Sequence, residues 1–334
     1  MKVLAVLSLL LVLTLVSLSA YLRLAHSGIG CADWPACYGL IGSAPSTEAP
    51  LRAEDAYRKL VDESGRSLAW ATPLHRLVAS VLGLSVIGLF LASLMRRQGR
   101  LVSAALLALT VYLAVLGIRS GSLHDPAVVM GNLAGGFCML GLLGWLVFSA
   151  GPRGRGPRKI AFFTASACVL LAAQILLGGL TSANFAATSC RTLPDCHGGW
   201  WPGPAFMTAI DLSREHAVTP EGQAIGGEER IAIHKAHRLG AAAVLIVTLL
   251  TAGSAFAADR RLRPVALLLF ALLAAEFLVG TAAVAWDLPI TLAVSHNWIA
   301  ALLLLALLKL LALSTGAGAS VVHGPPGRAA GNPP

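Results

Sequence analysis

The stretch IAIHKAHRLGAAAVLIVTLLTAGSAFA, residues 231–257, decides the fold class of this chain. No charged residue follows Arg238 as far as Ala257, and a helix needs about 20 apolar residues to cross the hydrocarbon core of a bilayer. The apolar residues also lack the alternation of a barrel strand. The stretch therefore predicts a membrane-spanning helix that carries His234 and His237 near one end.

Seven further stretches have the same character. The eight predicted spans are Val3–Leu22, Pro73–Met95, Leu101–Ile118, Ala127–Ala150, Ile160–Ser182, Ile231–Ala257, Pro264–Trp286 and Leu292–Ser314. Only 12% of the 334 residues are charged, about half the roughly 25% of a soluble domain. A soluble enzyme is excluded, and the predicted fold is an all-α polytopic membrane protein. For the first stretch a cleaved signal peptide is the alternative, although the run is long for one.

The basic residues predict the orientation. A net charge of +9 would suit nucleic-acid binding if the bases formed one face of a soluble domain, but they cluster in short loops at 96–100, 153–159 and 260–263. Because basic loops stay on the cytoplasmic side, we expect both termini to be cytoplasmic in a multi-pass inner-membrane protein. The long loops at 23–72 and 183–230 then lie outside.

The chain also contains an internal repeat. The first outer loop reads CADWPACYG from Cys31 and the second reads CRTLPDCHG from Cys190, so that both fit C-x-x-[WL]-P-x-C-[YH]-G. A His-Arg pair follows each loop, and a proline followed by a helix ends each half at nearly the same offset. The repeat predicts two parallel four-helix bundles. They comprise residues 1–150 and 160–314, joined by a cytoplasmic linker at 151–159 and followed by a disordered cytoplasmic tail at 315–334.

Four of the six cysteines form two pairs in the outer loops, Cys31 with Cys37 and Cys190 with Cys196. Thiols on that side of the membrane tend to oxidise, and the short spacing brings each pair within disulfide reach. Zinc is the competing interpretation, although C-x5-C is not its usual spacing. Whether such a disulfide is structural or redox-active stays open.

The histidines of the second half predict a heme site. His237 lies at the outer end of the sixth span and His296 near the outer end of the eighth. If these two helices pack side by side, facing imidazoles form an axial pair for one heme iron. Arg238 is placed to pair with a heme propionate. His234 is the weaker ligand candidate because it starts one turn nearer the water.

The first half repeats this arrangement with one ligand missing. His75 and Arg76 match the second His-Arg pair, but the partner position holds Asn132. An amide is a poor iron ligand, so this site offers one strong axial ligand and an open position. His26 and His124 in the outer loops are weaker substitutes.

Two polar residues fall inside predicted spans, Gln174 in the fifth and Glu276 in the seventh. Polar side chains at membrane depth usually bond to a neighbouring helix. We expect both to make interhelical contacts, and a proton-relay role for Glu276 is the alternative.

These motifs together resemble the heme A synthase family. The similar segments are YLRLAHSGIGCADWPACYG at 21–39, SANF at 182–185, CRTLPDCHGGWWP at 190–202, IHKAHRLG at 233–240 and AVSHN at 293–297. The resemblance covers the whole chain except the tail. It implies an eight-helix membrane oxidoreductase that converts the C8 methyl group of heme O to a formyl group, giving heme A for cytochrome oxidase assembly.

The resemblance also implies the roles of individual residues. The second half would hold heme b through His237 and His296, and the first would receive the substrate heme at His75, Arg76 and Asn132. The cysteine pairs Cys31–Cys37 and Cys190–Cys196 would form disulfides. The implied partners are heme O, membrane lipids, heme O synthase and oxidase assembly factors, with a homo-oligomer left open and no nucleic acid.

This sequence departs from the family pattern at two positions of the substrate half. The family has a glutamate of catalytic importance three residues before the first His-Arg pair, where this chain has Thr72, and a histidine where this chain has Asn132. A hydroxyl is no general base near neutral pH unless another group activates it. The alternatives to catalysis are a non-catalytic heme carrier or assembly factor and a b-type membrane cytochrome.

Overall fold

A computed structural model describes residues 1–29, 71–119, 126–149, 157–184, 186–190, 192–212 and 227–316. Within these ranges the chain forms helices and turns, and its one β-bridge joins Cys196 to Gly199. The nine helices of these ranges are α1 Lys2–Ile29, α2 Ala71–Arg96, α3 Arg100–Arg119, α4 Pro126–Phe148, α5 Arg158–Ala183, α6 Ala205–Ala209, α7 Gly227–Ala258, α8 Arg263–Ala285 and α9 Ile290–Thr315.

All these helices except the short α6 are long and apolar enough to cross a membrane. The eight predicted spans and the all-α polytopic fold are therefore confirmed. The largest differences in a boundary lie at α1, which ends at Ile29 rather than Leu22, and at α7, which begins at Gly227 rather than Ile231. Glu228 and Glu229 stand in its first turn, where carboxylates interact favourably with the helix dipole, so a polar turn extends the helix beyond its apolar part. The sequence did not predict α6.

The helices pack as two rings of four. In the first ring α1 packs against α2 and α4, and α3 closes the ring between them; in the second, α5 packs against α7 and α9, and α8 closes the ring. The rings meet where α4 packs against α9, flanked by α1 on α9 and α5 on α4. Equivalent helices of the repeat thus meet at the centre of the interface. This is the contact pattern of two parallel bundles related by an approximate two-fold axis.

The centre of the molecule is the α4–α9 contact. Leu140 and Leu143 of α4 are buried, as are Leu307 and Leu310 of α9. Gly144 permits this close approach, because a methyl group there would lie 2.7 Å from Leu305 Cδ2. Large apolar side chains are exposed instead on α2, α3 and α8, which suits helices that face lipid.

Several predictions concern residues outside the described ranges. These are the pair Cys31 and Cys37, His124, the linker residues 151–156 and the tail beyond Gly316. The side chains of His26 and Thr72 also lie outside the described part, although α1 and α2 include their backbones.

Candidate functional site

The structure brings His237 and His296 together. Their ring centres are 6.4 Å apart and the ring planes are inclined by 76°. Two imidazoles that bind one metal from opposite sides place their ring centres about 6 Å apart, because each metal–nitrogen bond is about 2 Å long and each ring adds about 1 Å. The spacing of this pair therefore fits an axial pair at a single heme iron.

The two histidines reach each other across the second ring rather than between adjacent helices. His237 is on α7 and His296 on α9, and each of these helices packs against both α5 and α8. The sixth and eighth spans are therefore diagonal in the ring and do not pack side by side, which was the arrangement considered from the sequence. The diagonal arrangement follows from the ring order, and it directs both imidazoles into the interior of the bundle.

Gln174 of α5 contacts His237 twice. Its amide nitrogen lies 3.0 Å from His237 Nδ1 and donates a hydrogen bond of 2.9 Å to the His237 carbonyl oxygen. The side chain lies against Gly240 of α7, where a methyl group would collide with the amide oxygen. That oxygen has no hydrogen-bond partner among the described residues. Gln174 is thus fitted against the α7 backbone beside the imidazole.

Glu276 of α8 has the corresponding place beside His296. Its Oε1 lies 3.4 Å from His296 Nδ1, slightly longer than a hydrogen bond of 2.7–3.2 Å. Neither Glu276 Oε2 nor His296 Nδ1 has a hydrogen-bond partner within the described part of the chain. The carboxylate stands nine residues before the end of α8, as Gln174 does before the end of α5, so both lie in the layer of the histidines.

A glycine lies against each imidazole. A methyl group at Gly178 of α5 would lie 3.2 Å from His237 Cε1, and one at Gly280 of α8 would lie 3.0 Å from His296 Cε1. Each glycine follows the polar residue of its helix by four positions, which places the two on one face, one above the other. Each histidine therefore lies in a notch formed by a polar side chain and a glycine on the neighbouring helix.

Arg238 binds the outer loop of the second half. Its Nη1 donates hydrogen bonds of 2.7 Å to the carbonyl oxygens of Thr192 and Asp195, and its Nη2 donates one of 2.7 Å to that of Cys190. Cys190 and Cys196 are joined by a disulfide with Cα atoms 5.0 Å apart. Three of the five guanidinium donors thus hold the disulfide loop over the end of α7, and the predicted propionate contact is left to the other two.

His234 lies one turn before His237 on α7. It is 4% exposed, which makes it the more deeply buried residue although it is nearer the start of α7. Its Nδ1 has no hydrogen-bond partner among the described residues. The ring contact of His296 is with His237.

In the first half, His75 lies on α2 and Asn132 on α4. These helices are diagonal in the first ring, as α7 and α9 are in the second, so both positions belong to equivalent places of the repeat. Arg76 follows His75 on α2, as Arg238 follows His237 on α7. Thr72 stands in the first turn of α2, one turn before His75.

The sequence identified the two histidines but not the partners of Gln174 and Glu276. Both were expected only to contact a neighbouring helix, and the structure shows that the neighbour is a histidine in each case. The sequence does contain a signal that these two residues have equivalent roles: Q-x-x-x-G at 174–178 and E-x-x-x-G at 276–280 share one spacing.

Comparisons with known proteins show the family to which this chain belongs. Residues 2–308 match the model of the COX15-CtaA family, described as cytochrome oxidase assembly protein. The chain is similar to the heme A synthase of Shewanella oneidensis, with 32% identity over 89% of this chain and 92% of that protein. It is also similar to the heme A synthase of Neorickettsia sennetsu, with 27% identity over 88% of this chain and 93% of that protein. The chain therefore belongs to the COX15-CtaA family of cytochrome oxidase assembly proteins.

Proposed function

We propose that this protein is a membrane-bound oxidoreductase that converts the C8 methyl group of heme O to a formyl group, giving heme A for cytochrome oxidase assembly. The observation that carries the proposal is the His237–His296 pair, 6.4 Å apart in the bundle interior. It is the axial pair expected of a heme protein, and it occurs in a chain whose curated relatives are named heme A synthase.

The second half, residues 160–314, is the proposed heme b site. His237 and His296 are the iron ligands, and Gln174 and Glu276 stand behind them. Arg238 holds the disulfide loop at the outer end of this site, and its remaining donors can pair with a propionate. A heme bound there supplies a one-electron carrier.

The first half, residues 1–150, is the proposed substrate site, with His75, Arg76 and Asn132 around heme O. His75 gives the substrate iron one strong axial ligand, and Arg76 is placed for a propionate. Asn132 offers no basic nitrogen, so the opposite face stays open. Conversion of a methyl group to a formyl group with water as the oxygen source releases four electrons and four protons, so the reaction needs an external electron acceptor that takes up the four electrons. Because this chain has Thr72 where the family has a carboxylate, another base must accept those protons.

We place this protein in the cytoplasmic membrane with both termini inside, because its basic loops at 96–100, 153–159 and 260–263 favour that orientation. Residues 151–159 then form a cytoplasmic linker and 315–334 a cytoplasmic tail. Both heme sites lie toward the outer ends of their helices. Heme O, made by a heme O synthase in the same membrane, is the proposed substrate, and oxidase assembly factors are the proposed recipients of the product.

The test is co-expression of the chain with a source of heme O, followed by extraction and chromatography of the hemes. We expect heme A, or its hydroxymethyl intermediate, to accumulate with this chain and not with a His75→Ala variant. Unchanged heme O beside heme b in the purified protein would contradict the proposed reaction.

A non-catalytic heme carrier or assembly factor is the second candidate. The observation that favours it is the pair of substitutions confined to the substrate half, Thr72 and Asn132, while the second half keeps both histidines and their partners. This candidate predicts stable binding of heme O without conversion in the same experiment.

A further inference from the structure

The notch behind each axial histidine has a chemical consequence for the iron. Imidazole binds a metal through one nitrogen, and a hydrogen bond from the other nitrogen fixes the ring and raises its basicity. Nδ1 is the nitrogen that faces Gln174 in His237 and Glu276 in His296. Nε2 of each ring is therefore the nitrogen left for the iron.

We propose that Glu276 and Gln174 are the positioning residues of the two axial histidines, and that they make the pair electronically unequal. This inference rests on the heme site of the proposed function. Glu276 accepts a hydrogen bond from Nδ1–H of His296, and its negative charge makes this imidazole the stronger electron donor. Gln174 is neutral and holds His237 without adding charge.

The environment of Glu276 supports this role. An ionisable group within a membrane span is costly and is retained where it has a partner. His296 Nδ1 is the polar atom that the structure places beside the carboxylate, at 3.4 Å, and both Nδ1 and Oε2 lack a hydrogen-bond partner within the described ranges. Ligation of Nε2 puts the proton on Nδ1, and this proton is the donor that the carboxylate needs.

The fit of Gln174 indicates an adjustable partner. With the amide nitrogen toward Nδ1, the imidazole accepts there and Nε2 carries the proton. Ligation of iron at Nε2 reverses this requirement. A half-turn of the amide then presents Oε1 to Nδ1–H, and it gives up the hydrogen bond that the amide nitrogen donates to the His237 carbonyl oxygen.

The polar partners of the two histidines belong to the second half alone. Pro289 follows Pro126 by 163 residues, and at this offset Glu276 and Gly280 correspond to Leu113 and Gly117. Cys190 follows Cys31 by 159 residues, and at this offset Gln174 corresponds to Leu15. The substrate half therefore lacks both polar partners. A resident heme needs fixed ligands and a fixed potential, whereas a substrate heme must enter and leave.

The test is the reduction potential of the bound heme in the purified full-length protein, together with its electron paramagnetic resonance spectrum. Glu276→Gln keeps an acceptor and removes the charge, so the potential should become more positive; Glu276→Leu should do the same and change the ligand-field g values. Gln174→Glu adds a charge and should make the potential more negative. Glu228→Gln, an exposed carboxylate in the first turn of α7, is the matched control and should leave the potential unchanged.

Unchanged potentials in both Glu276→Gln and Gln174→Glu, with the low-spin heme retained, would overturn the inference. That result is distinct from failure of the proposed heme site. If the unmutated protein shows no low-spin heme that depends on His237 and His296, the site itself is wrong, whatever the variants at 174 and 276 do.

Discussion

His237 and His296 lie on diagonal helices of one four-helix ring, with their ring centres 6.4 Å apart and their planes inclined by 76°. Diagonal helices leave room between them that adjacent helices do not, and the two imidazoles extend into this interior. The two imidazole planes are nearly perpendicular, and each imidazole is contacted from a different helix, His237 from α5 and His296 from α8. This arrangement would suit two side chains that are fixed independently on either side of one bound group.

The first prediction concerns this pair. His237→Ala and His296→Ala should each abolish the low-spin b-type spectrum of the purified protein, because one remaining imidazole leaves the iron five-coordinate and high-spin. Optical and electron paramagnetic resonance spectra measure the change. His234→Ala is the control on the same helix and should retain the low-spin signal. A low-spin heme that survives both ligand substitutions would mean that the axial pair lies elsewhere.

Much of the fold could be predicted from the sequence, because membrane spans depend on length and composition rather than on particular contacts. Most span boundaries lie close to the predicted ones. The exceptions are α1, which continues to Ile29, and α7, which begins at Gly227 because Glu228 and Glu229 can prolong a helix beyond the apolar stretch. The order in which the helices pack around each ring could not be predicted as readily from the sequence. A repeat predicts which helices are equivalent, but it does not say that α7 and α9 are diagonal.

The candidate site could also be predicted in part. His237 and His296 stand out because histidines are rare in spans, and the repeat related them to His75 and Asn132. The roles of Gln174 and Glu276 depend on which side chain each one meets, and that follows from helix rotation within the ring. The hydrogen bonds of Arg238 to the loop carbonyls could not be predicted, since backbone carbonyls carry no sequence signal.

The second prediction concerns the glycines behind the histidines. Gly280→Ala and Gly178→Ala should each lower the amount of heme that copurifies with the protein, because the added methyl group would press on the imidazole at 3.0 or 3.2 Å. Overpacking of this kind costs about 1–3 kcal/mol, which corresponds to a loss of roughly 5- to 150-fold in heme affinity. Heme titration followed by absorbance measures the affinity.

Gly253→Ala is the matched control for both glycines. It also lies within a span, on α7, but a methyl group there meets nothing within 4 Å. Alanine is the better helix former by about 0.5–1 kcal/mol, so this variant should bind heme as the unmutated protein does and be slightly more stable. Equal heme affinity in all three variants would show that the glycines do not form part of the notch.

The third prediction concerns Arg238 and the disulfide loop. Arg238→Ala removes three hydrogen bonds to the carbonyl oxygens of Cys190, Thr192 and Asp195. Hydrogen bonds from a charged donor contribute about 1.5–3 kcal/mol each, and the partial exposure of this side chain places them at the low end of that range. The loop should therefore open more often. Cys190 and Cys196, each 1% exposed, should become reducible by a mild reductant.

Thiol labelling of Cys190 and Cys196 after a timed exposure to reductant measures this opening. Arg260→Ala, in the basic loop before α8, removes an equal charge without touching the disulfide loop and should label as slowly as the unmutated protein. If Arg238→Ala loses heme but the loop cysteines stay protected, then propionate binding rather than loop anchoring is the main role of the guanidinium.

The last prediction concerns the substrate half. Thr72→Glu with Asn132→His restores a carboxylate one helical turn before His75 and a basic nitrogen at the position equivalent to His296. A carboxylate can accept the protons that leave the methyl carbon, and a second imidazole can hold the substrate iron from the opposite side. We expect the double variant to form more heme A than the unmutated chain in cells that supply heme O, with Thr72→Glu alone giving the larger share of the gain. His75→Ala in the double variant should remove that gain, because the substrate then loses its strong ligand. A double variant that converts no more heme O than the unmutated chain would show that Thr72 and Asn132 do not limit the reaction, and that the proton acceptor of this chain is another group.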